Sequence, residues 1–169
     1  GTAGKLIAEK IVHDKQKHED YFIAGLIHDI GKIFLIQNFP DEYLTILDTI
    51  EEKSSLLKME AEAFSIHHAD VGALIVEKWS LADDLKASVK YHHGVEEYDG
   101  DSAMPFVIYH ANYHASISGF AGIEGEPPTF ERGDERVLAK LGIEKENLSQ
   151  VLEALPDKVE EAKVFIGSQ

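Results

Sequence analysis

The chain has 169 residues, of which 44% are hydrophobic and 28% charged, a composition typical of one globular domain with a sizeable core rather than a disordered segment. Its 31 acidic and 16 basic residues give a formal net charge of −15, which argues against a nucleic-acid or anionic-membrane binder because both need clustered cations. The absence of cysteine excludes disulfides, thiolate metal sites and a cysteine nucleophile, so any metal must use imidazole and carboxylate ligands.

Helical periodicity runs through almost the whole sequence. Apolar residues recur at three- and four-residue spacing, and no stretch shows sustained strict alternation, so the sequence predicts an all-α domain without strands. The predicted helices cover residues 6–12, 21–28, 33–36, 40–52, 56–64, 69–79, 81–91, 105–118, 131–141, 148–155 and 156–166.

Glycines are predicted to mark several helix boundaries. Gly31 is expected to interrupt a helix, Gly94 to stop the helix 81–91 in a left-handed conformation, and Gly119 to close the helix 105–118. The glycine- and proline-rich run 119–128 is the longest predicted linker. We therefore expect a helical core at 1–120 and a small helical C-terminal extension at 121–169 packed on it.

His28 and Asp29 form the sharpest chemical feature. They follow an apolar helix turn and come just before Gly31. Buried ionisable groups cost several kcal/mol unless they are paired or bound to a metal, so this dyad needs a partner, and a divalent cation would serve. The alternative is that His28 and Asp29 cap the helix and bond each other.

Two further histidine pairs lie at predicted helix ends. His67 and His68 begin one helix, and His92 and His93 end another. Each pair alone is typical of solvated or capping residues. Together with the dyad at 28–29 they form three groups at the ends of three helices, which is how a helical bundle gathers ligands from distant parts of a chain.

The remaining histidines carry weaker signals. His110 and His114 are four residues apart and share a helix face, but no glutamate follows His110 as in a zinc protease, so a metal role for this pair is a minor alternative. His13 and His18 lie in a polar junction and are expected at the surface. Trp79 is at a core-like helical position and is expected to be buried.

Several motifs resemble the HD superfamily, and within it the HD-related output domain, HDOD, of bacterial signalling proteins. Residues 24–32 read AGLIHDIGK and residues 68–73 read HADVGA, which match the two habitual motifs of that subgroup. The histidine pair at 92–93 and the sequence HAN at 110–112 add to the resemblance, which covers about residues 2–155. It implies an HD-domain-like helical bundle and a signalling protein. A cytoplasmic location is expected because the sequence has neither a membrane-length apolar run nor a leader pattern.

The resemblance also implies a metal site. Its ligands would be His28, Asp29, His68, His92 and His93. Asp29 could bridge two ions, and Lys32 resembles the lysine that catalytic relatives use beside a phosphate, so these two would be the catalytic residues of an active enzyme. Nitrogen and oxygen ligands without thiolate suit iron, manganese, zinc or magnesium.

Three features depart from the catalytic pattern. Asn112 stands where the resemblance expects an aspartate as the last ligand. The first histidine ligand would precede residue 1, and His13 and His18 are too close to the dyad to replace it. Residues 94–100 contain Tyr-Asp-Gly but lack the Gly-Tyr-Pro signature of cyclic-dinucleotide phosphodiesterases. A single-ion or vestigial site is therefore favoured over a working binuclear hydrolase.

Three functions stay open at this point. The favoured one, implied by the resemblance, is a signalling output or interaction module with a degenerate metal site and signalling proteins as partners. The alternative is a metal-dependent phosphohydrolase that acts on nucleotides or cyclic dinucleotides. The third is a metal-free helical scaffold. No apolar run approaches the roughly 20 residues of a membrane span and no leader pattern begins the sequence, so a membrane is not an expected partner. The net charge of −15 argues against nucleic acid as a partner.

Overall fold

The computed structural model describes residues 1–50, 55–120 and 134–167, and across these ranges the regular structure is helical without a strand. Its α-helices are α1 Thr2–Ile11, α2 His18–Ile27, α3 Ile30–Asn38, α4 Pro40–Thr49, α5 Leu56–Phe64, α6 His68–Lys78, α7 Asp83–Tyr91, α8 Met104–Ile117, α9 Asp134–Leu141, α10 Lys145–Glu153 and α11 Leu155–Gly167. Short 3₁₀ turns occur at Lys15–Lys17 and Val95–Glu97. The predicted all-α class is confirmed.

Helix α8 is the centre of the main core. Eight consecutive residues, from Met104 to Ala111, are buried, because α8 is covered on different sides by α1, α2 and α7. Ile7 of α1 is fully buried in the same core. Helices α10 and α11 lie against α1, and Leu148 and Leu155 belong to this core as well. Most of the predicted linker, 121–128, falls outside the described residues, so the division at 120 stays a prediction.

Helices α3 and α6 cross closely, and a smaller core lies beside them. Gly31 faces the first turn of α6, where a Cβ atom on it would lie 2.0 Å from the carbonyl oxygen of His68. Leu35, Tyr43 and Val71 form the buried centre of the smaller core. This helix crossing determines the distance between the chain segment that follows Ile27 and the one that follows Ser65.

An open apolar groove of about 660 Å³ adjoins the smaller core. Its walls come from α3 to α6 and the segments that join them, with Glu42 and Lys78 as the ionisable residues of its lining. The aromatic and aliphatic side chains that line it include Phe34, Phe39, Phe64 and Leu74. We name this surface the α3–α6 groove.

Two of the three glycines predicted to mark helix boundaries have a different role in the structure. Gly31 does not interrupt a helix: the break lies at His28 and Asp29, and Gly31 is inside α3 because the contact with α6 leaves no room for a side chain. Gly94 has a φ of −146° rather than a left-handed one, because the chain continues from α7 into the 3₁₀ turn Val95–Glu97. Gly119 has a φ of +81°, which confirms its predicted role as the end of α8.

Two expectations about single side chains are wrong. Trp79 is 55% exposed, because α6 ends at Lys78 and the ring lies beyond the buried face that carries Val76. His18 is buried, and its Nε2 lies 2.8 Å from the carbonyl oxygen of Val12. The reason is that α2 begins at His18, three residues earlier than predicted, which places the ring against the end of α1.

Within the described part of the chain, no single helix combines the length and the apolar character of a membrane span. By those two criteria alone, only the bent pair Lys15–Asn38 and Pro40–Thr49, with 116° between its halves, passes together.

Candidate metal centre

The predicted ligands lie at helix ends, as the sequence indicates. His28 and Asp29 occupy the two-residue junction between α2 and α3. His68 is the first residue of α6, and His92 and His93 follow the last residue of α7. Because α6 contacts both α3 and α7, these three chain segments meet at one point.

Four side chains come together there. One ligand atom from each of Asp29, His68, His92 and His93 can be chosen so that all four lie within 4.8 Å of one another. Asp29 Oδ1 is 3.4 Å from Nε2 of His68 and 3.4 Å from Nε2 of His92, and these two nitrogens are also 3.4 Å apart. His93 Nε2 lies 3.0 Å from His68 Nε2. We call these four residues the metal cluster.

Hydrogen bonds at the far side of two rings determine which nitrogen is free of a proton. His92 Nδ1 lies 2.7 Å from the carbonyl oxygen of Val89, which can only accept, so Nδ1 is the donor. His68 Nδ1 lies 2.7 Å from Glu60 Oε2 and donates to that carboxylate. In its neutral form each of these imidazoles carries only this one proton, and its Nε2 then presents a lone pair to the centre of the cluster.

The pKa shifts of the cluster residues also favour ligand atoms that carry no proton. Burial lowers the pKa of His68, and it lowers the pKa of His93 well below the usual range, so both rings are neutral at pH 7. Burial alone would raise the pKa of the Asp29 carboxyl, but its contacts with His28, His92 and Lys32 hold it well below the usual value. The centre therefore contains one carboxylate charge and imidazole lone pairs.

A divalent cation fits this arrangement on two grounds. Asp29 Oδ1 is buried and has no hydrogen-bond partner, which is costly for a carboxylate oxygen. Two ligand atoms that each lie about 2.1 Å from one ion are about 3.4 Å apart at a tetrahedral angle, which matches the separations among Asp29, His68 and His92. Nitrogen-rich ligands that bond onward through Nδ1 are typical of zinc, iron and manganese sites.

The second oxygen of Asp29 faces different partners. Lys32 Nζ donates to Asp29 Oδ2 over 3.0 Å, and His28 Nε2 is 3.4 Å from the same oxygen. His28 Nδ1 donates to the carbonyl oxygen of Gly25, and burial lowers the pKa of this ring to about 4. His28 thus lies beside the metal cluster, on the Oδ2 side of Asp29, and its role as a ligand stays a prediction.

Two residues of this site are not predicted by the sequence. Glu60 on α5 is fully buried, and Tyr43 on α4 donates a 2.7 Å hydrogen bond to its Oε1. Burial alone would raise the pKa of Glu60, but the hydrogen bonds from His68 and Tyr43 lower it, so the carboxylate is charged. One signal was available: Glu60 stands one turn after the buried Leu56, so an acidic residue occupies the apolar face of a helix.

The other histidines do not join the cluster. His67 Nε2 pairs with Asp70 at 3.1 Å, and His13 is exposed. The rings of His110 and His114 are 6.1 Å apart on α8. Among residues 1–50, 55–120 and 134–167, the metal cluster is the one group of three or more histidine and acidic side chains whose ligand atoms lie close enough together to hold a metal ion. Asn112 is half-buried on α8.

His110 leads to a prediction about acid stability. Burial, followed by the nearby His114, lowers its pKa from 6.5 to about 4. The unfolded chain therefore binds more protons than the folded one between these values, so stability declines as the pH falls through this window, by about 3 kcal/mol at most. His110→Leu is expected to flatten this decline, measured by chemical denaturation across the window. An unchanged pH dependence would contradict the assignment.

Comparisons with known proteins agree with this architecture. The family model described as the HDOD domain matches residues 1–95, a segment that contains the whole metal cluster. A protein of Treponema pallidum (strain Nichols) described as uncharacterized is 23% identical over 94 residues, which are 53% of this chain and 18% of that protein.

A solved structure shares the fold. It is the crystal structure of an HDOD domain protein with unknown function from Geobacter sulfurreducens, with a TM-score of 0.73 and 23% identity over 94% of this chain and 56% of that one. The chain thus spans about half of the solved relative and less than a fifth of the curated one. Because the family model covers more than half of its residues, the protein belongs to the HDOD domain family.

Proposed function

We propose that this HDOD chain is a signalling output module that binds one divalent cation in the metal cluster and docks on protein partners. The observation that carries the metal assignment is the triangle of Asp29 Oδ1, His68 Nε2 and His92 Nε2, three candidate ligand atoms that lie 3.4 Å apart. A carboxylate oxygen and two imidazole lone pairs that face one another are stabilised by a cation that lies between them.

One ion, rather than two, is favoured by the surroundings of Asp29. A carboxylate that bridges two metals commonly offers one oxygen to each of them. Here Oδ2 accepts from Lys32, whose ammonium group supplies the positive charge that a second ion would bring. Lys32 is itself only slightly exposed, so its amine is held in place beside Asp29.

The docking role is supported by the surface. Large apolar side chains are exposed on several helices, including Leu26 at 67% and Leu74 at 59%. Leu74 also lines the α3–α6 groove. Contiguous exposed apolar surface is typical of protein interaction sites.

Metal content tests the first half of the proposal. Protein purified without an affinity tag or chelator is expected to hold about one equivalent of iron, manganese or zinc, because a coordinating site of this type binds tightly. Elemental analysis measures this directly. Less than about a tenth of an equivalent, both as purified and after dialysis against each metal, would rule out the metal cluster as a binding site.

A gain-of-ligand variant gives a further prediction. Asn112 matches the position of the last aspartate ligand in the resemblance, and a carboxylate is a stronger ligand than an amide oxygen. Asn112→Asp is therefore expected to tighten Zn²⁺ binding by about tenfold, measured by competition with a chromophoric chelator. An unchanged affinity would mean that residue 112 does not reach the site.

Partner capture tests the second half. Metal-loaded and metal-stripped protein serve as bait in a lysate of the native host, beside Leu74→Glu, which places a charge on the groove. The proposal expects a protein that the wild type retains and Leu74→Glu loses. Retention of the same proteins by both would remove the groove from the interaction.

A phosphohydrolase is the second candidate, because Asp29 is about one-third exposed and Lys32 lies beside it, where a phosphate could reach both. A bound ion would supply Lewis-acid activation of water and charge neutralisation at phosphoryl oxygens. The Lys32 ammonium would hold a phosphate oxygen by a charge-assisted hydrogen bond. Metal-loaded protein that turns over cyclic dinucleotides, nucleotides or a bis-aryl phosphate no faster than Asp29→Ala would dispose of this candidate.

A further inference from the structure

Glu60 holds a charge at a place where a charge is expensive. Its side chain is fully buried on α5, and an isolated carboxylate in such a site would lose several kcal/mol of solvation. Three hydrogen bonds compensate it: Tyr43 Oη donates to Oε1 over 2.7 Å, and the backbone N–H and ring Nδ1 of His68 donate to Oε2 over 2.8 and 2.7 Å. Every one of these bonds comes from His68 or from Tyr43.

The bond to the ring has a chemical consequence. As long as Oε2 accepts from His68 Nδ1, the ring proton stays on Nδ1 and the Nε2 lone pair faces the metal cluster. The negative charge of Glu60 also makes the imidazole a stronger electron donor, as carboxylate–histidine pairs do at metal sites. Tyr43 in turn prevents the carboxylate from rotating away.

Tyr43 is held rigidly enough for this role. It is fully buried in the smaller core with Leu35 and Val71, and its ring is stacked on Phe64 with an interplanar angle of 13°. Helix α4 therefore presents the Tyr43 hydroxyl at a fixed position, although no residue of α4 belongs to the metal cluster.

We propose that Glu60, oriented by Tyr43, is the positioning residue that keeps the Nε2 lone pair of His68 directed at the metal cluster and raises its affinity for a cation. This rests on the proposed metal-binding function. The competing explanation is that Glu60 only accepts the first backbone N–H of α6 and so caps that helix.

Two substitutions of Glu60 separate the two explanations. In Glu60→Gln the amide oxygen can still accept both N–H groups of His68, so the cap is retained while the charge is lost. In Glu60→Leu the acceptor is lost altogether. Tyr43→Phe keeps the aromatic packing and removes one hydrogen bond, and Ile46→Val, a buried change on the same face of α4, controls for general loosening of the helix.

Zn²⁺ affinity and the ring tautomer are the two measurements. Competition with a chromophoric chelator is expected to show binding about 10- to 100-fold weaker in Glu60→Gln, a few-fold weaker in Tyr43→Phe, and unchanged in Ile46→Val. Nitrogen-15 NMR of the metal-free protein, with His68→Gln for assignment, is expected to show the proton on Nδ1 in the wild type and a mixture of tautomers in Glu60→Leu.

The outcomes are distinct. A Glu60→Gln variant that binds Zn²⁺ as tightly as the wild type does would overturn the proposal in favour of the cap, which the amide oxygen retains. A wild-type ring with its proton on Nε2 would overturn it as well, and neither result needs the Leu variant to fold. Failure of the wild type to bind Zn²⁺ would refute the metal-binding function, while the tautomer measurement would still decide the effect of Glu60 on His68.

Discussion

Asp29→Ala is expected to weaken Zn²⁺ binding by at least about 100-fold, since loss of an outer partner alone costs 10- to 100-fold and Asp29 would be a direct ligand. The physical reason is that Asp29 provides the negative charge of the metal cluster, and a divalent ion among neutral imidazoles would remain uncompensated. Competition with a chromophoric chelator at fixed pH measures the change, and circular dichroism of the metal-free variant verifies that it folds.

Asp70→Ala is the matched control for this substitution. Asp70 also pairs with a histidine, His67, at 3.1 Å, but it lies outside the metal cluster and is partly exposed. Its removal is expected to change Zn²⁺ affinity by less than about fivefold, because exposed ion pairs contribute little. Equal losses in the two variants would show that the protein binds zinc through surface carboxylates instead of the metal cluster.

Gly31→Ala is expected to lower the free energy of unfolding by more than about 3 kcal/mol, the range reached when a substitution forces atoms into a filled space. An added Cβ would lie 2.0 Å from the carbonyl oxygen of His68 and 2.8 Å from the amide nitrogen of Gly72. These are backbone atoms that cannot rotate away, so α3 and α6 must separate. His68 lies at this contact, so Zn²⁺ affinity is expected to fall together with stability. Thermal and urea unfolding measure the first effect.

Two other glycines calibrate this result. A Cβ on Gly94 would have Glu96 Oε1 as its nearest neighbour at 3.9 Å, so Gly94→Ala is expected to stay within about 0.5 kcal/mol of the wild type. Gly119 has open space around it but a φ of +81°, so Gly119→Ala reports the cost of backbone strain alone, about 1 kcal/mol. A Gly31→Ala variant no less stable than Gly119→Ala would contradict the close helix contact.

The sequence predicts some residues of the site and not others, because the partners of the second group lie far apart along the chain. His28, Asp29, His68, His92 and His93 stand out in the sequence because they belong to adjacent pairs of ionisable residues at the ends of predicted helices. Glu60 and Tyr43 give a much weaker signal, since an acidic residue and a tyrosine on helix faces are common and their partners lie 8 and 17 residues away along the chain.

Lys32 and Gly31 are two further residues whose contacts could not be predicted from the sequence. The resemblance predicts a phosphate-binding role for Lys32, and its amine is found on Asp29 Oδ2, which favours a single ion. Glycine often breaks helices, yet Gly31 lies inside α3. A glycine is required there because α6 approaches closely, and not because of the local backbone conformation.

By itself, the sequence determined the all-α class, most helix bounds, the restriction of any metal ligands to imidazole and carboxylate, and the resemblance to the HDOD family. These depend on residue type and on spacing within one or two helical turns. The tertiary structure decided which lone pairs converge, how many oxygens of Asp29 are available to an ion, and which residue sets the tautomer of His68. Such properties depend on contacts among α3, α5, α6 and α7, whose crossing is set by packing of residues far apart in the chain.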